Sequence, residues 1–257
     1  MLIDAHCHLD FPDFDADREA VFERARAVGV ARFVVPGTTR ERWPGVLALG
    51  QREDVSVCLG LHPYFMDRHR VGDLEALAQT LAKHAGDAGP GIVALGECGI
   101  DARFPEALEA QWGLFDAQLR LAKAHELPVV IHCVRANDQV AKRLRQLALP
   151  CGGLIHAFAG SQEQAHRFIE LGFVVGLGGA ATHERAQRLR RAVASLPDDG
   201  YVLETDSPDM PLAGHRGERN EPARLEEVCR IVAELRGQSI KQVADHTTAN
   251  AQRLFRL

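Results

Sequence analysis

The stretch LIDAHCHL, Leu2 to Leu9, is a short apolar run that closes on two histidines, His6 and His8. Side chains of an extended strand alternate between faces, so His6 and His8 point one way and Cys7 the other. Asp4 falls on the histidines' side of that alternation. The pattern recurs along the chain. Glu97 closes IVALGEC (92–98), His132 closes LPVVIHC (127–133), His156 closes GLIHAF (153–158) and Asp206 closes YVLETDSP (201–208). Ionisable side chains are rare in a core unless they are paired or bind a metal. Five strand ends carrying such groups read as the convergent wall of a metal site.

The spacing of the apolar runs extends this to the whole fold. Strands are expected near 2–8, 32–36, 55–61, 92–97, 129–133, 153–157, 173–177 and 201–205. Most are continuous apolar runs, the signature of parallel strands buried on both faces. Amphipathic stretches separate them, at 15–28, 40–51, 73–85, 106–126, 137–148, 161–171, 184–195 and 222–236. In the fourth, Leu108, Trp112, Phe115, Leu119 and Ala122 recur at helical steps. Ser161 and Gln164 have the spacing of a capping box. Eight strand–helix pairs imply an α/β fold, a (β/α)8 TIM barrel, with an extra C-terminal helix at about 239–255 packed over its outside. No GxGxxG follows the first strand, which disfavours an open dinucleotide-binding sheet. Only a closed barrel brings the ends of strands 1, 4, 5, 6 and 8 together.

A chain of 257 residues without linker or low-complexity stretch fits a single domain, 1–257. With 46% hydrophobic and 25% charged residues it has the composition of a globular protein. A formal charge of −5 argues against strong non-specific adhesion to nucleic acid, but not against a nuclease whose bound cations hold a phosphate. The N-terminus enters an apolar strand with no basic flank, and no run is long enough to span a bilayer. The six cysteines lack CxxC spacing and read as reduced core thiols. A cytoplasmic location with no membrane association and no obligate protein partner is expected.

Imidazoles mixed with carboxylates suit zinc, manganese or iron better than an all-oxygen set would. His6 and His8 can clasp one ion, Glu97 can bridge to a second, and His132 and His156 can complete that second site. Asp206 can ligate the first ion and accept a proton from an attacking water. Around this centre, His62 and Tyr64 (after strand 3), Arg135 (after strand 5) and His215, Arg216 and Arg219 (in the long loop 206–221) are candidates for binding substrate. Arg103 is a further candidate. The four arginines in the run 183–191 read as the solvated face of the seventh helix.

The motifs DAHCHLD (4–10), GLHP (60–63), GECGID (96–101), IHC (131–133), HAFAG (156–160), LETDSP (203–208) and NEP (220–222) together resemble the TatD family of metal-dependent deoxyribonucleases in the amidohydrolase superfamily. The resemblance covers nearly the whole chain. It implies that His6, His8, Glu97, His132, His156 and Asp206 ligate two divalent metal ions (Zn, Mn or Mg), with Asp206 and Glu97 catalytic and DNA as substrate. Many members of that family carry an arginine two residues after the fifth-strand histidine; here that slot is Val134, and Arg135 follows. The competing function is an amidohydrolase-type enzyme acting on a small amide, ester or lactone. A binding protein with a relict site is disfavoured by the complete ligand set.

Overall fold

The computed structural model describes residues 1–84 and 91–257. Eight parallel strands form one sheet in chain order. They are β1 (Leu2–Asp4), β2 (Val30–Gly37), β3 (Val55–Leu59), β4 (Ile92–Asp101), β5 (Val129–Val134), β6 (Gly153–Ile155), β7 (Phe173–Leu177) and β8 (Tyr201–Leu203). The helices between and after them are α1 (Arg18–Ala27), α2 (Trp43–Leu49), α3 (Asp73–His84), α4 (Leu108–Ala124), α5 (Asn137–Leu147), α6 (Gln162–Glu170), α7 (Gln187–Ser195) and α8 (Leu225–Arg236), followed by α9 (Ile240–Phe255). The expected third helix reached residue 85, which lies outside the described residues. The seam between first and last strands is closed by Ala5 N donating to Leu203 O (3.0 Å) and Asp206 N to His6 O (2.9 Å). The architecture is the expected (β/α)8 barrel. No described helix is long and apolar enough to cross a membrane.

The apolar runs sort into two layers. One residue from each strand, from Ile3 on β1 to Val202 on β8, fills the barrel interior. Their neighbours, such as Val35, Leu59, Leu95, Ile131 and Leu203, pack outward against the helices. Burial on both faces is why the runs are continuous. The capping box at the start of α6 forms as its sequence predicts: Gln164 N donates to Ser161 Oγ (3.3 Å) and Ser161 N to Gln164 Oε1 (3.1 Å). A second box, Ser239 with Gln242, starts α9.

Two expectations need correcting. The last helix does not lie over the outside of the barrel. Ala251 and Phe255 of α9 join the interior cluster with Ile3, Val34 and Val174, so α9 closes the barrel floor. An open N-terminal mouth would leave those apolar side chains wet. Asp4 also does not share the histidines' direction. Ile3 and Ala5 point into the barrel while Cys7 and Leu9 belong to the outer layer, so the alternation breaks between Ala5 and Cys7. The β1 ladder stops at Asp4 and the chain bends at Ala5–His6, which turns His6 and His8 into the mouth.

Candidate metal centre

Glu97 is aimed by a bulge. Leu95 pairs with Val129 but Cys98 pairs with Ile131, so β4 spends one residue more than β5 between these points. Leu95 and Cys98 both face the outer layer, three residues apart. Strict alternation would send Glu97 outward with Leu95; the extra residue turns it inward. The close fit is permitted by Gly99, whose φ is +145° and where a Cβ would run into the His132 carbonyl.

The two carboxylate oxygens of Glu97 face different partners. Oε2 lies 3.3 Å from both His6 Nε2 and His8 Nε2. Those two nitrogens are 3.2 Å apart and lie 3.4 and 3.5 Å from Asp206 Oδ1. Oε1 lies 2.8 Å from His62 Nε2, 3.2 Å from His132 Nδ1 and 3.1 Å from His156 Nε2. The stacked rings of His6 and His156, with centroids 3.9 Å apart, join the two halves. Burial raises the Glu97 carboxyl, but the surrounding imidazoles, His62, His156 and His6 foremost, outweigh it and hold Glu97 well below the usual carboxylate range. Burial pushes Asp206 up to about 6, against the pull of His156 and His8.

This donor set fits a cation. Glu97 Oε2 is buried and has no hydrogen-bond partner although two imidazole nitrogens stand beside it. Buried polar atoms are rarely left so. Among the described residues His6, His8 and Glu97, and His6, His156 and Asp206, form overlapping triads compatible with a metal, and His62 and His132 crowd the other side of Glu97.

Hydrogen bonds on the far side of two rings distinguish their roles. Tyr64 N donates to His62 Nδ1 at 3.0 Å, so the neutral ring carries its proton on Nε2. Burial, the largest influence, lowers His62 to about 4 and keeps the ring neutral. His62 therefore donates to Glu97 and presents no lone pair there. His132 is the reverse case: its Nε2 lies 3.2 Å from Asp101 Oδ2, leaving Nδ1 as the free ligand atom. Asp101 is fully buried and also bound to Arg103. Sequence reasoning assigned Asp101 no role; its inward direction follows from Cys98 and Ile100 facing outward, which only the bulge explains.

The substrate-side candidates scatter. Tyr64 is 53% exposed beside Phe104. Arg135, in left-handed backbone at φ 56°, borders a groove of about 470 Å³ beside Ala157. Arg103 is committed to Asp101. Arg219 is taken up by Asp17 (2.8 Å) and lies over the Phe14 ring. His215 pairs with Glu218 at 2.9 Å. Arg216 is exposed and borders a second groove. Asn220, buried, donates to the carbonyls of Thr205 and Asp209 (2.9 Å each) and pins both ends of the late loop. A separate cavity of about 350 Å³ near Arg253 and Arg256 shares no residue with the histidine cluster, so donor chemistry rather than cavity size locates the centre.

Comparison with known proteins agrees with this geometry. The family model described as TatD related DNase matches residues 3–256. The chain is 40% identical over 256 residues to the uncharacterized metal-dependent hydrolase YjjV of Escherichia coli K12, covering 98% of this chain and 97% of that protein. The crystal structure of YjjV, a TatD homolog, superimposes with a TM-score of 0.95 over 100% of this chain and 98% of the other. A 3'-5' ssDNA/RNA exonuclease TatD of Rahnella is 35% identical over 263 residues, covering 97% of this chain and 96% of its own.

Proposed function

The chain belongs to the TatD-related DNase family and is a metal-dependent hydrolase; on that footing we propose that it cleaves DNA phosphodiester bonds with two divalent cations, zinc, manganese or magnesium, held at the barrel mouth. The observation that carries the reading is the division of Glu97, with Oε2 turned to His6 and His8 and Oε1 to His132 and His156. In this reading His6, His8 and Asp206 would hold one cation and His132 and His156 the other, with Glu97 between them. Two such cations would polarise the phosphoryl oxygens and lower the pKa of water.

The chain's own groups supply the rest. Asp206, beside His6 and His8, accepts the proton of the attacking water through its carboxylate. His62 Nε2–H, fixed in its tautomer by the Tyr64 amide, donates to Glu97 Oε1 and holds that carboxylate in place. Asp101 orients His132, and Glu204 Oε1, 3.6 Å from His156 Nδ1, flanks the other ring. The 1–257 chain acts as one unit in this reading. Six free thiols accord with a reducing, cytoplasmic setting.

Metal-reconstituted enzyme assayed in parallel on single-stranded DNA, duplex DNA, bis-p-nitrophenyl phosphate and a panel of lactones tests the proposal. Cleavage of DNA and of the diester, abolished by chelation, is expected. Lactone hydrolysis without DNA cleavage would replace it with the small-substrate reading. Anomalous scattering from metal-soaked crystals should give two peaks flanking Glu97; one peak remote from Glu97 would refute the bridge.

A further inference from the structure

Arg185 does not lie on the seventh helix, where the sequence pattern puts it. It precedes α7, in the segment that follows the turn Gly179–Thr182. There it meets Arg216 of the late loop across a groove of about 390 Å³, whose floor is Ala180, Ala186, Met210 and Pro211. Among the described residues neither arginine has an ion-pair or hydrogen-bond partner, and both are exposed. The other cations of the late loop, His215 and Arg219, are tied to carboxylates.

The groove is preformed and adjoins the centre. His183 Nε2 lies 3.3 Å from Pro211 O, and Ala213 N donates to Thr182 Oγ1 at 2.8 Å, so the two walls are bonded to each other. Gly179 lets them touch, since a Cβ there would fall on the Met210 carbonyl. Ala180 and Met210 also line a narrow cleft that contains Asp206. Ala180 and Met210 are thus a common wall between the groove and the Asp206 side of the centre.

Resting on the nucleic-acid reading above, we propose that this groove is the subsite for the nucleotide next to the scissile bond, with Arg185 and Arg216 clamping its phosphate and Met210 lying under its base. The floor is apolar and the rim cationic, which matches the flat face of a base and the charge of a phosphodiester. A thioether against an aromatic ring is a favourable contact that tolerates any base. The subsite thus favours oligonucleotides over small diesters without setting sequence preference.

The test compares metal-loaded wild type with the Arg185→Ala/Arg216→Ala double variant on single-stranded DNA of about ten nucleotides and on bis-p-nitrophenyl phosphate. The ratio of kcat/KM for the oligonucleotide to that for the small diester should fall about tenfold or more, through KM. The salt dependence of oligonucleotide binding should flatten by about 0.7 in log–log slope for each phosphate no longer neutralised. Arg185→Lys/Arg216→Lys should restore most of the slope but less of the affinity, because lysine cannot bind bidentately. An unchanged ratio and slope overturns the subsite. Equal loss on both substrates also overturns it, assigning the arginines to support of the centre. If wild type cleaves the diester but no oligonucleotide, the nucleic-acid reading falls and the subsite with it.

Discussion

Four carboxylates, Glu97, Asp101, Glu204 and Asp206, meet five imidazoles at the barrel mouth, and their jobs are separable. Asp206 stands in left-handed backbone at φ 57°, where a non-glycine residue is held by its surroundings rather than by preference. Its substitution Asp206→Asn keeps the size but replaces one acceptor oxygen by an NH2 donor and cannot accept a proton. Turnover of an activated diester should fall by about 10²–10⁴ while circular dichroism and melting temperature stay near wild type. Near-normal turnover in a metal-loaded sample would exclude Asp206 as the base. Asp101 touches the centre only through His132 Nε2. Asp101→Asn removes the charge that favours a metal-binding lone pair on Nδ1, so metal affinity should drop about tenfold. Competition against a fluorescent chelator measures this; unchanged affinity would mean that His132 is oriented by packing alone.

The elements decide which way these residues face. The β4 bulge has no apolar signature of its own, because GECGID reads equally well as a strand end without it. That is why Glu97 is legible in the sequence as a site residue while Asp101 is not: the first needs only its place at a strand end, the second needs the parity shift. The same reason applies to Asp4, whose face strict alternation misassigns because the chain bends before His6. Strand ends at β1, β4, β5, β6 and β8 are legible because burial on both faces writes continuous apolar runs. The late loop is legible as functional ground but not residue by residue. Which of its cations are spent on Asp17 or Glu218 depends on folded geometry, with Asp17 far away in sequence. The bulge itself can be tested. Gly99→Ala asks a β-carbon to occupy φ +145° against the His132 carbonyl. It should cost at least about 1–3 kcal/mol in urea unfolding of the metal-free protein, with metal affinity reduced as well. A loss below about 0.5 kcal/mol, the usual effect of a neutral surface change, would mean that β4 and β5 can separate without penalty.

Across the whole molecule the two mouths of the barrel divide the work. The C-terminal mouth gathers His6, His8, Glu97, His132, His156 and Asp206, groups that repel or desolvate one another and are tolerated for chemistry. The N-terminal mouth is sealed by α9, whose Phe255 is 1% exposed and packs on the interior layer. Asn250 fastens the same helix to the barrel by donating to Asp198 O and Tyr201 O, 2.8 Å each. A barrel of this kind places catalysis at one face and stability at the other. Phe255→Ala should therefore cost about 3–5 kcal/mol of folding stability, as truncation of a buried aromatic does. The cavity it opens is walled by Ile3, Val34 and Val174, side chains of the barrel's interior layer, set below the histidine cluster at the mouth. Turnover per folded, metal-loaded molecule should stay within about twofold of wild type, since only interactions made in the transition state change kcat. Urea unfolding gives the first quantity, and kcat on an activated diester below the unfolding transition gives the second. Loss of kcat in step with stability would mean that the floor of the barrel sets the geometry of its mouth, and the separation of the two faces would fail.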